Sequence, residues 1–162
     1  MRRVTDIDWD TWTPSERATL LFVISNYEVL LIHKKRGLGA GYINGPGGRI
    51  EPGESPREAA VRETQEETGI RPLNPEACGE LCFQFVDGFS IHVDVFRTEA
   101  FEGSAIETDE GIPLWTPLDG IPFDRMWEDD AYWLPLLLVG QNFRGQFVFD
   151  DKTMLDHKVC TY

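Results

Sequence analysis

Residues 48–70 read GRIEPGESPREAAVRETQEETGI, and this stretch decides how the chain is interpreted. Ser55 and Glu58 have the spacing of a capping box, and Pro56 suits the first position of a helix. Gly69 is a typical residue to follow the last turn of a helix. The stretch therefore predicts a helix over residues 56–68, preceded by a loop and ended by a glycine.

Three glutamates of this helix, Glu63, Glu66 and Glu67, stand at positions i, i+3 and i+4. This spacing places their carboxylates on one face within a single turn, where like charges destabilise a helix by a few tenths of a kcal/mol per pair. One interpretation is a solvated acidic face balanced by Arg57 and Arg62, since glutamate is a common helix residue. The other is a face that holds a cation.

The loop before the helix favours the second interpretation. It contains Gly47, Gly48 and Gly53, and Glu54 adds a fourth carboxylate next to the acidic face. Magnesium prefers a few carboxylate oxygens combined with waters and substrate phosphates. The sequence therefore predicts a magnesium site on this helix, with manganese as a substitute.

The fixed residues of this stretch resemble the Nudix box, Gly-x5-Glu-x7-Arg-Glu-U-x-Glu-Glu-x-Gly-U, in which U is a bulky aliphatic residue. Every fixed letter is present, and Thr64 is the departure, at a U position, where we expect a small packing cost. The resemblance implies an α+β fold, an α/β/α sandwich around a mixed sheet, and hydrolysis of a nucleoside diphosphate linked to another group. It also makes residues 18–162 the Nudix domain and residues 1–17 an N-terminal extension.

Position in the box implies a role for each residue. Glu63, Glu66 and Glu67 would bind metal, with Glu67 as the base, Arg62 would orient the glutamates, and the Gly47 carbonyl would add a ligand. A non-catalytic Nudix module is the alternative, but such modules usually lack some of the glutamates that this chain keeps.

Several stretches outside the box resemble the mammalian-type oxidised purine nucleoside triphosphatases, which act on 8-oxo-dGTP. They are residues 34–41, 44–45, 107–110, 121–130 and 132–138. The resemblance implies a nucleoside triphosphate pyrophosphohydrolase with Glu110 as a further metal ligand. It implies substrate contacts from Thr19, Lys34, Asn44, Pro46, Gly47, Gly48, Arg49, Phe83, Trp127, Asp129 and Asp130.

The chemistry of these residues suits a purine, although each has a simpler explanation. Trp127 could stack on a base, and stacking contributes about 1–3 kcal/mol per base. Asp129 and Asp130 could read the purine edge, because two adjacent buried carboxyls tend to keep one proton, and Asn44 offers both a donor and an acceptor. The two aspartates could instead cap the following helix, while Trp127 and Phe83 could belong to the core.

Departures from that subfamily leave the base open. Leu38 and Pro46 stand where aromatic residues are expected, and Tyr42-Ile43 replaces an expected tryptophan. The expected substrates are oxidised purine triphosphates such as 8-oxo-dGTP and 2-hydroxy-dATP, and the alternatives are a methylated purine triphosphate or another nucleoside diphosphate-linked substrate such as ADP-ribose.

Composition limits the function further. A net charge of −13 over 162 residues disfavours binding to polynucleotides. No apolar run reaches the roughly 20 residues of a membrane span. Three cysteines without zinc-site spacing indicate free thiols, as in the cytoplasm. We expect a cytoplasmic monomer that binds a small nucleotide.

Periodicity predicts more strand than helix. Strands are expected at residues 18–25, 28–35, 42–44, 80–86, 89–98, 113–116, 146–149 and 154–159, and a second helix at 129–139. The Asn26-Tyr27 and Asp87-Gly88 pairs indicate hairpin turns.

Overall fold

The computed structural model describes residues 2–162, in which strands predominate. The helices are α1 (Pro56–Thr68) and α2 (Asp130–Leu138), with short 3-10 helices at Val4–Asp6 and Phe123–Arg125. The strands are β1 (Glu16–Ser25), β2 (Glu28–Lys34), β3 (Ile43–Asn44), β4 (Gly47–Arg49), β5 (Arg71–Leu73), β6 (Glu76–Phe85), β7 (Ser90–Thr98), β8 (Ala100–Glu102), β9 (Gly111–Pro117), β10 (Phe143–Asp150) and β11 (Thr153–Thr161).

Nine of these strands form one mixed sheet, in the order β11-β10-β6-β7-β1-β2-β3, with β4 also paired to β1 and β9 to β2. The β1–β7 and β6–β10 pairs are parallel, and the other pairs are antiparallel. The small β5–β8 ribbon lies apart. The central position of β1, between β7, β4 and β2, brings the loop before α1 onto the middle of the sheet.

A helix packs on each face of the sheet. Phe22 of β1 belongs to the cluster that contains Trp133 and Leu137 of α2, whereas Leu21 belongs to the cluster that contains Ala60 of α1. Because successive strand residues point to opposite faces, α1 and α2 lie on opposite sides. The prediction of an α+β fold with an α/β/α sandwich is confirmed.

Helix α1 begins and ends as predicted. The Ser55 hydroxyl accepts a hydrogen bond of 3.1 Å from the Glu58 N–H, and the Glu58 carboxylate accepts one of 3.0 Å from the Ser55 N–H. Gly69 ends the helix with φ of 79°, a conformation that glycine adopts without strain. Thr64 is buried, and its hydroxyl donates to the Ala60 carbonyl at 2.8 Å, so a polar residue is accommodated at this aliphatic position.

Several element bounds differ from the predicted ones. Strand β1 begins at Glu16 rather than at residue 18, and β6 begins at Glu76 rather than at residue 80. Strands β4, β5 and β8 were not predicted, because three residues carry too little periodicity and β4 starts with two glycines. Strands β10 and β11 are longer than predicted, and α2 starts at Asp130.

The N-terminal segment packs against the sheet. Val4 is buried and its N–H donates to the Asp156 carboxylate at 2.8 Å. The Trp12 indole N–H donates to the Gln84 side chain at 2.9 Å, and Ser15 bonds to Ser90. These contacts tie the segment to β7, β6 and β11. Within residues 2–162, no helix is long and apolar enough to cross a membrane.

Candidate active site

The three glutamates of α1 differ in exposure. Glu67 is 4% exposed, and its Oε2 accepts a hydrogen bond of 3.2 Å from the Gly47 N–H. The side chain of Glu63 is 18% exposed, whereas that of Glu66 is 57% exposed. The acidic face therefore runs from solvent at Glu66 into the interior at Glu67.

Burial raises the pKa of Glu67 to about 8, and the neighbouring Glu63 carboxylate raises it further. The Gly47 N–H and the Lys34 ammonium oppose this shift, because both favour the ionised form. A buried carboxyl with such a pKa can take up and release a proton near neutral pH.

Two glycines of β4 allow α1 to approach the sheet. A Cβ atom at Gly48 would lie 2.5 Å from the Glu63 carboxyl carbon, and one at Gly47 would overlap the Thr19 backbone. Any side chain here would push Glu63 out of place. The glycine-rich segment at residues 37–53, which includes β3 and β4 and is here called the glycine loop, therefore sets at Gly48 how closely Glu63 approaches the sheet.

Arg62 joins the loop to the acidic face. Its guanidinium donates to both carboxylate oxygens of Glu54, at 2.7 and 2.9 Å, and to Glu63 at 2.8 Å. Weaker contacts reach Glu66 at 3.3 Å and the Arg49 carbonyl at 3.1 Å. These bonds lower the pKa of Glu54 to about 2, so Glu54 is ionised at neutral pH. Arg62 thus holds Glu63 and Glu66 toward itself.

Glu110 lies in the loop before β9 and is paired with Arg36, which donates to its carboxylate through Nε at 3.1 Å. This pairing lowers the pKa of Glu110, and the Lys34 ammonium contributes in the same direction. The Glu110 N–H donates to the Thr108 hydroxyl, which in turn donates to the Glu67 carbonyl, so the backbone of this loop meets the end of α1.

The donor set on α1 fits a divalent cation in its chemistry. Glu67 and Glu63 face each other as mutually repelling carboxylates, an arrangement that a cation between them would stabilise. Within residues 2–162, one group of three metal-ligand side chains has its ligand atoms within 4.8 Å of one another, and it lies on β6 and β7: Glu80, His92 and Asp94. The α1 glutamates do not converge as closely.

The residues predicted to bind a base meet at the other end of the glycine loop. A Cβ at Gly39 would lie 2.9 Å from the Trp127 indole nitrogen and 3.3 Å from the Asn44 amide nitrogen. The Trp127 ring packs edge-on against Tyr42 and Phe149, with centroids 5.4 and 5.7 Å apart. Trp127 and Asn44 therefore border one space.

Asp129 and Asp130 follow Trp127 and are buried. The Trp133 indole N–H donates to Asp129 Oδ2 at 2.8 Å, and Asp129 makes no side-chain cap bond to α2. Asp129 therefore occupies the N-cap position of α2, but its side chain does not cap the helix. Burial raises the pKa of both carboxyls, and the pKa of Asp130 is raised well above its usual value because Asp129 is beside it.

The bond from Trp133 to Asp129 was not predicted from the sequence, although the spacing of four residues within one predicted helix was an available signal. Its bond favours Asp129 as the ionised acceptor. Asp130, whose pKa is raised by burial and by the adjacent Asp129, then keeps the proton. The pair can therefore offer one donor and one acceptor.

Some of the remaining residues predicted to bind substrate lie beside the glycine loop, and others make contacts elsewhere. Thr19 donates to the Gly48 carbonyl at 3.4 Å, and Lys34 donates to the Leu38 carbonyl at 2.9 Å, so both border the glycine loop. Arg49 instead pairs with Glu16 at 2.8 Å with a 75% exposed side chain, and Phe83 stacks on Phe147 within the core cluster. Pro46 contributes its carbonyl to the Leu21 N–H.

Cavity size does not identify this site. A depression of about 670 Å³ lies along α1 and is lined by Arg57, Gln65 and Arg71 among others. It contains none of the base-side residues. The candidate site is therefore located by the acidic and polar side chains that lie together, because an open groove without enclosed polar groups gives little specificity.

Comparison with known proteins matches these features to a family. A model of the NUDIX domain matches residues 14–137, which is more than half of the chain. The chain belongs to the Nudix family. The match spans the whole of α1, the glycine loop and most of α2.

Relatives of this Nudix protein cover nearly its full length. It is 40% identical over 147 residues to the oxidized purine nucleoside triphosphate hydrolase of Danio rerio, covering 90% of this chain and 94% of the relative. The mouse protein of the same name is 40% identical over 143 residues, covering 87% and 92%. A crystal structure of a MutT protein from Bacillus halodurans superposes with a TM-score of 0.81 at 29% identity, covering 89% of this chain and 97% of that one.

The buried aspartate pair gives a prediction for stability. A carboxyl whose pKa is raised on folding stabilises the fold below its unfolded pKa, about 3.9, and this stability is lost as pH rises toward the folded pKa. We therefore expect Asp130→Asn to raise the melting temperature relative to wild type at pH 8, and to change it less at pH 4.5. Each kcal/mol corresponds to about 2–4 °C for a chain of this size.

Thermal melts at the two pH values, with Asp124→Asn as a control in the 3-10 helix before α2, measure this difference. A variant that is equally or more destabilised at pH 8 than at pH 4.5 would show that Asp130 is not held protonated.

Proposed function

We propose that this Nudix hydrolase is a magnesium-dependent pyrophosphohydrolase of oxidised purine nucleoside triphosphates such as 8-oxo-dGTP. The observation that carries the substrate is the buried Asp129–Asp130 pair beside Trp127. The names of the zebrafish and mouse relatives support the same substrate class.

The reaction combines a nucleoside triphosphate with one water molecule and gives a monophosphate and pyrophosphate. Glu63, Glu66 and Glu67, together with the Gly47 carbonyl and Glu110, would hold the divalent cation. When bound, that cation would neutralise phosphate charge and lower the pKa of a coordinated water. Manganese is a suitable substitute because it also prefers oxygen ligands.

Glu67 supplies the base. Its carboxylate is buried, and the Gly47 N–H holds one oxygen, which leaves the other oxygen to accept a proton from the attacking water. Attack at the β-phosphorus breaks the bond to the α-phosphate oxygen. Arg62 keeps the glutamates oriented during this step through its bonds to Glu54 and Glu63.

Base recognition rests on one donor and one acceptor at the purine edge. Asp130, which keeps its proton, can donate to a carbonyl or ring nitrogen of the base, and Asp129, held by Trp133, can accept from an N–H. Trp127 provides the stacking face, and Asn44 adds an amide at the rim. Thr19 and Lys34, which border the glycine loop, would contact the sugar and phosphates.

The discriminating experiment is a set of initial rates with 8-oxo-dGTP, 2-hydroxy-dATP, dGTP, O6-methyl-dGTP and ADP-ribose. We expect an oxidised purine triphosphate to have the highest kcat/KM. A preference for ADP-ribose, or equal rates for all purine triphosphates, would overturn the substrate assignment and leave the Nudix chemistry intact.

We also propose that the protein acts as a cytoplasmic monomer on small nucleotides rather than on polynucleotides. Its three cysteines are free, with Cys78 buried, which suits a reducing compartment. The net charge of −13 opposes a phosphate backbone. Sedimentation at micromolar concentration tests the monomer, and a nucleic-acid shift assay tests the exclusion.

A further inference from the structure

Thr108 connects α1 with the loop that carries Glu110. Its hydroxyl donates to the backbone carbonyl of Glu67 at 2.8 Å and accepts from the Glu110 N–H at 3.2 Å. The hydroxyl oxygen of Thr108 therefore links the backbone of Glu67, on α1, to the backbone of Glu110, in the loop before β9.

The backbone of Thr108 is held as well. Its N–H donates to the Gly111 carbonyl at 3.0 Å, and its carbonyl accepts from the Lys35 ammonium at 2.8 Å. The Lys35 N–H in turn donates to the Glu110 carbonyl at 2.9 Å. The backbone N–H of Glu110 is thus bonded to Thr108 and its carbonyl to Lys35, and Lys35 also bonds to Thr108.

The hydrogen bond from Thr108 to Glu67 lies in the last turn of α1. The last four carbonyls of a helix receive no hydrogen bond from an N–H of the helix and must find donors elsewhere. The Thr68 carbonyl accepts from the Ile106 N–H at 2.8 Å, and the Glu67 carbonyl accepts from Thr108. The segment at residues 106–108 therefore completes the end of α1.

We propose that Thr108 is a positioning residue that sets the distance between Glu110 and Glu67, so that the two carboxylates meet one cation. This inference rests on the proposed function, in which both are metal ligands. A threonine suits the task better than a longer polar residue, because its branched Cβ restricts the hydroxyl to few directions. Groups that orient metal ligands typically change metal affinity by about 10- to 100-fold when removed.

The test compares Thr108→Val, which removes the hydroxyl at nearly constant shape, with Thr108→Ser, which keeps it. Binding of Mn²⁺ to the nucleotide-free protein, followed by electron paramagnetic resonance, gives a readout that does not depend on turnover. We expect Thr108→Val to weaken Mn²⁺ binding by about 10-fold or more and Thr108→Ser to stay within about 3-fold of wild type. Thr116→Val is the matched control, since that hydroxyl bonds to Leu114 within β9.

A double-mutant cycle separates positioning from a general loss of stability. If Thr108 acts through Glu110, Thr108→Val should weaken Mn²⁺ binding much less in a Glu110→Gln background than in wild type. Additive effects in the cycle, or equal defects in the valine and serine variants, would overturn the proposal. Should the valine variant not fold, the same cycle is run with Thr108→Ala.

Failure of the proposed function has a different signature. Wild-type protein that neither binds Mn²⁺ nor hydrolyses a triphosphate would refute the metal chemistry as a whole. Wild-type activity combined with unchanged Mn²⁺ binding in Thr108→Val would refute the role of Thr108 alone.

Discussion

Replacing Glu67 with glutamine is expected to lower kcat by roughly 10²–10⁴-fold, the range typical of a lost general base. Glutamine keeps the size of the side chain and can still meet the Gly47 N–H through its carbonyl oxygen, but it cannot accept the proton of water. Steady-state rates at saturating magnesium measure the effect. Glu102→Gln, on exposed β8, removes the same charge away from the site and should leave kcat unchanged.

The same variant should not be less stable than wild type at pH 8. Because burial raises the pKa of Glu67 to about 8, wild type loses stability as pH rises from the unfolded value near 4.3 to that pKa, and glutamine does not. Melts at pH 5 and pH 8 show whether the catalytic loss reflects chemistry or folding. Near-normal turnover of a well-folded variant would place the base on another residue.

Replacing Asp129 or Asp130 with alanine is expected to reduce kcat/KM for an oxidised purine triphosphate by roughly 30- to 1000-fold. The loss follows because a site built around hydrogen bonds pays about 2–4 kcal/mol when a buried partner goes unpaired. Poor substrates such as dGTP and dCTP should change much less, since they depend on the metal and phosphate contacts. The measurement is kcat/KM for 8-oxo-dGTP and dCTP with each variant.

Trp133→Phe provides a finer control for this prediction. It removes the 2.8 Å bond to Asp129 while keeping an aromatic ring in the core, so it should impair 8-oxo-dGTP hydrolysis less than Asp129→Ala and in the same direction. Equal small losses for all substrates in the aspartate variants would return the two residues to a purely structural role.

The part of the site that depends on local sequence was predictable. Helix α1 has a capping box, a proline at its start and a glycine at its end, and each of these acts within a few residues. The position of Glu63, Glu66 and Glu67 on one face follows from the helical period alone. The mixed sheet with a helix on each face was predicted from the family resemblance and is confirmed.

Features that depend on contacts between distant residues were not predictable. The three-residue strand β4 exists because β1 pairs with it, and glycines give no alternation from which to predict it. Thr108 and Glu67 are 41 residues apart, and no local pattern indicates that a hydroxyl meets that carbonyl. Arg49, which follows the loop glycines in sequence, turns instead toward Glu16.

Cleavage of 8-oxo-dGTP at the β-phosphorus is tested by the products of its hydrolysis in ¹⁸O-labelled water with magnesium, followed by ³¹P nuclear magnetic resonance. We expect 8-oxo-dGMP and pyrophosphate in equal amounts, with the heavy oxygen in pyrophosphate, and no reaction in excess chelator. Orthophosphate as the first product, or full activity in chelator, would contradict this expectation.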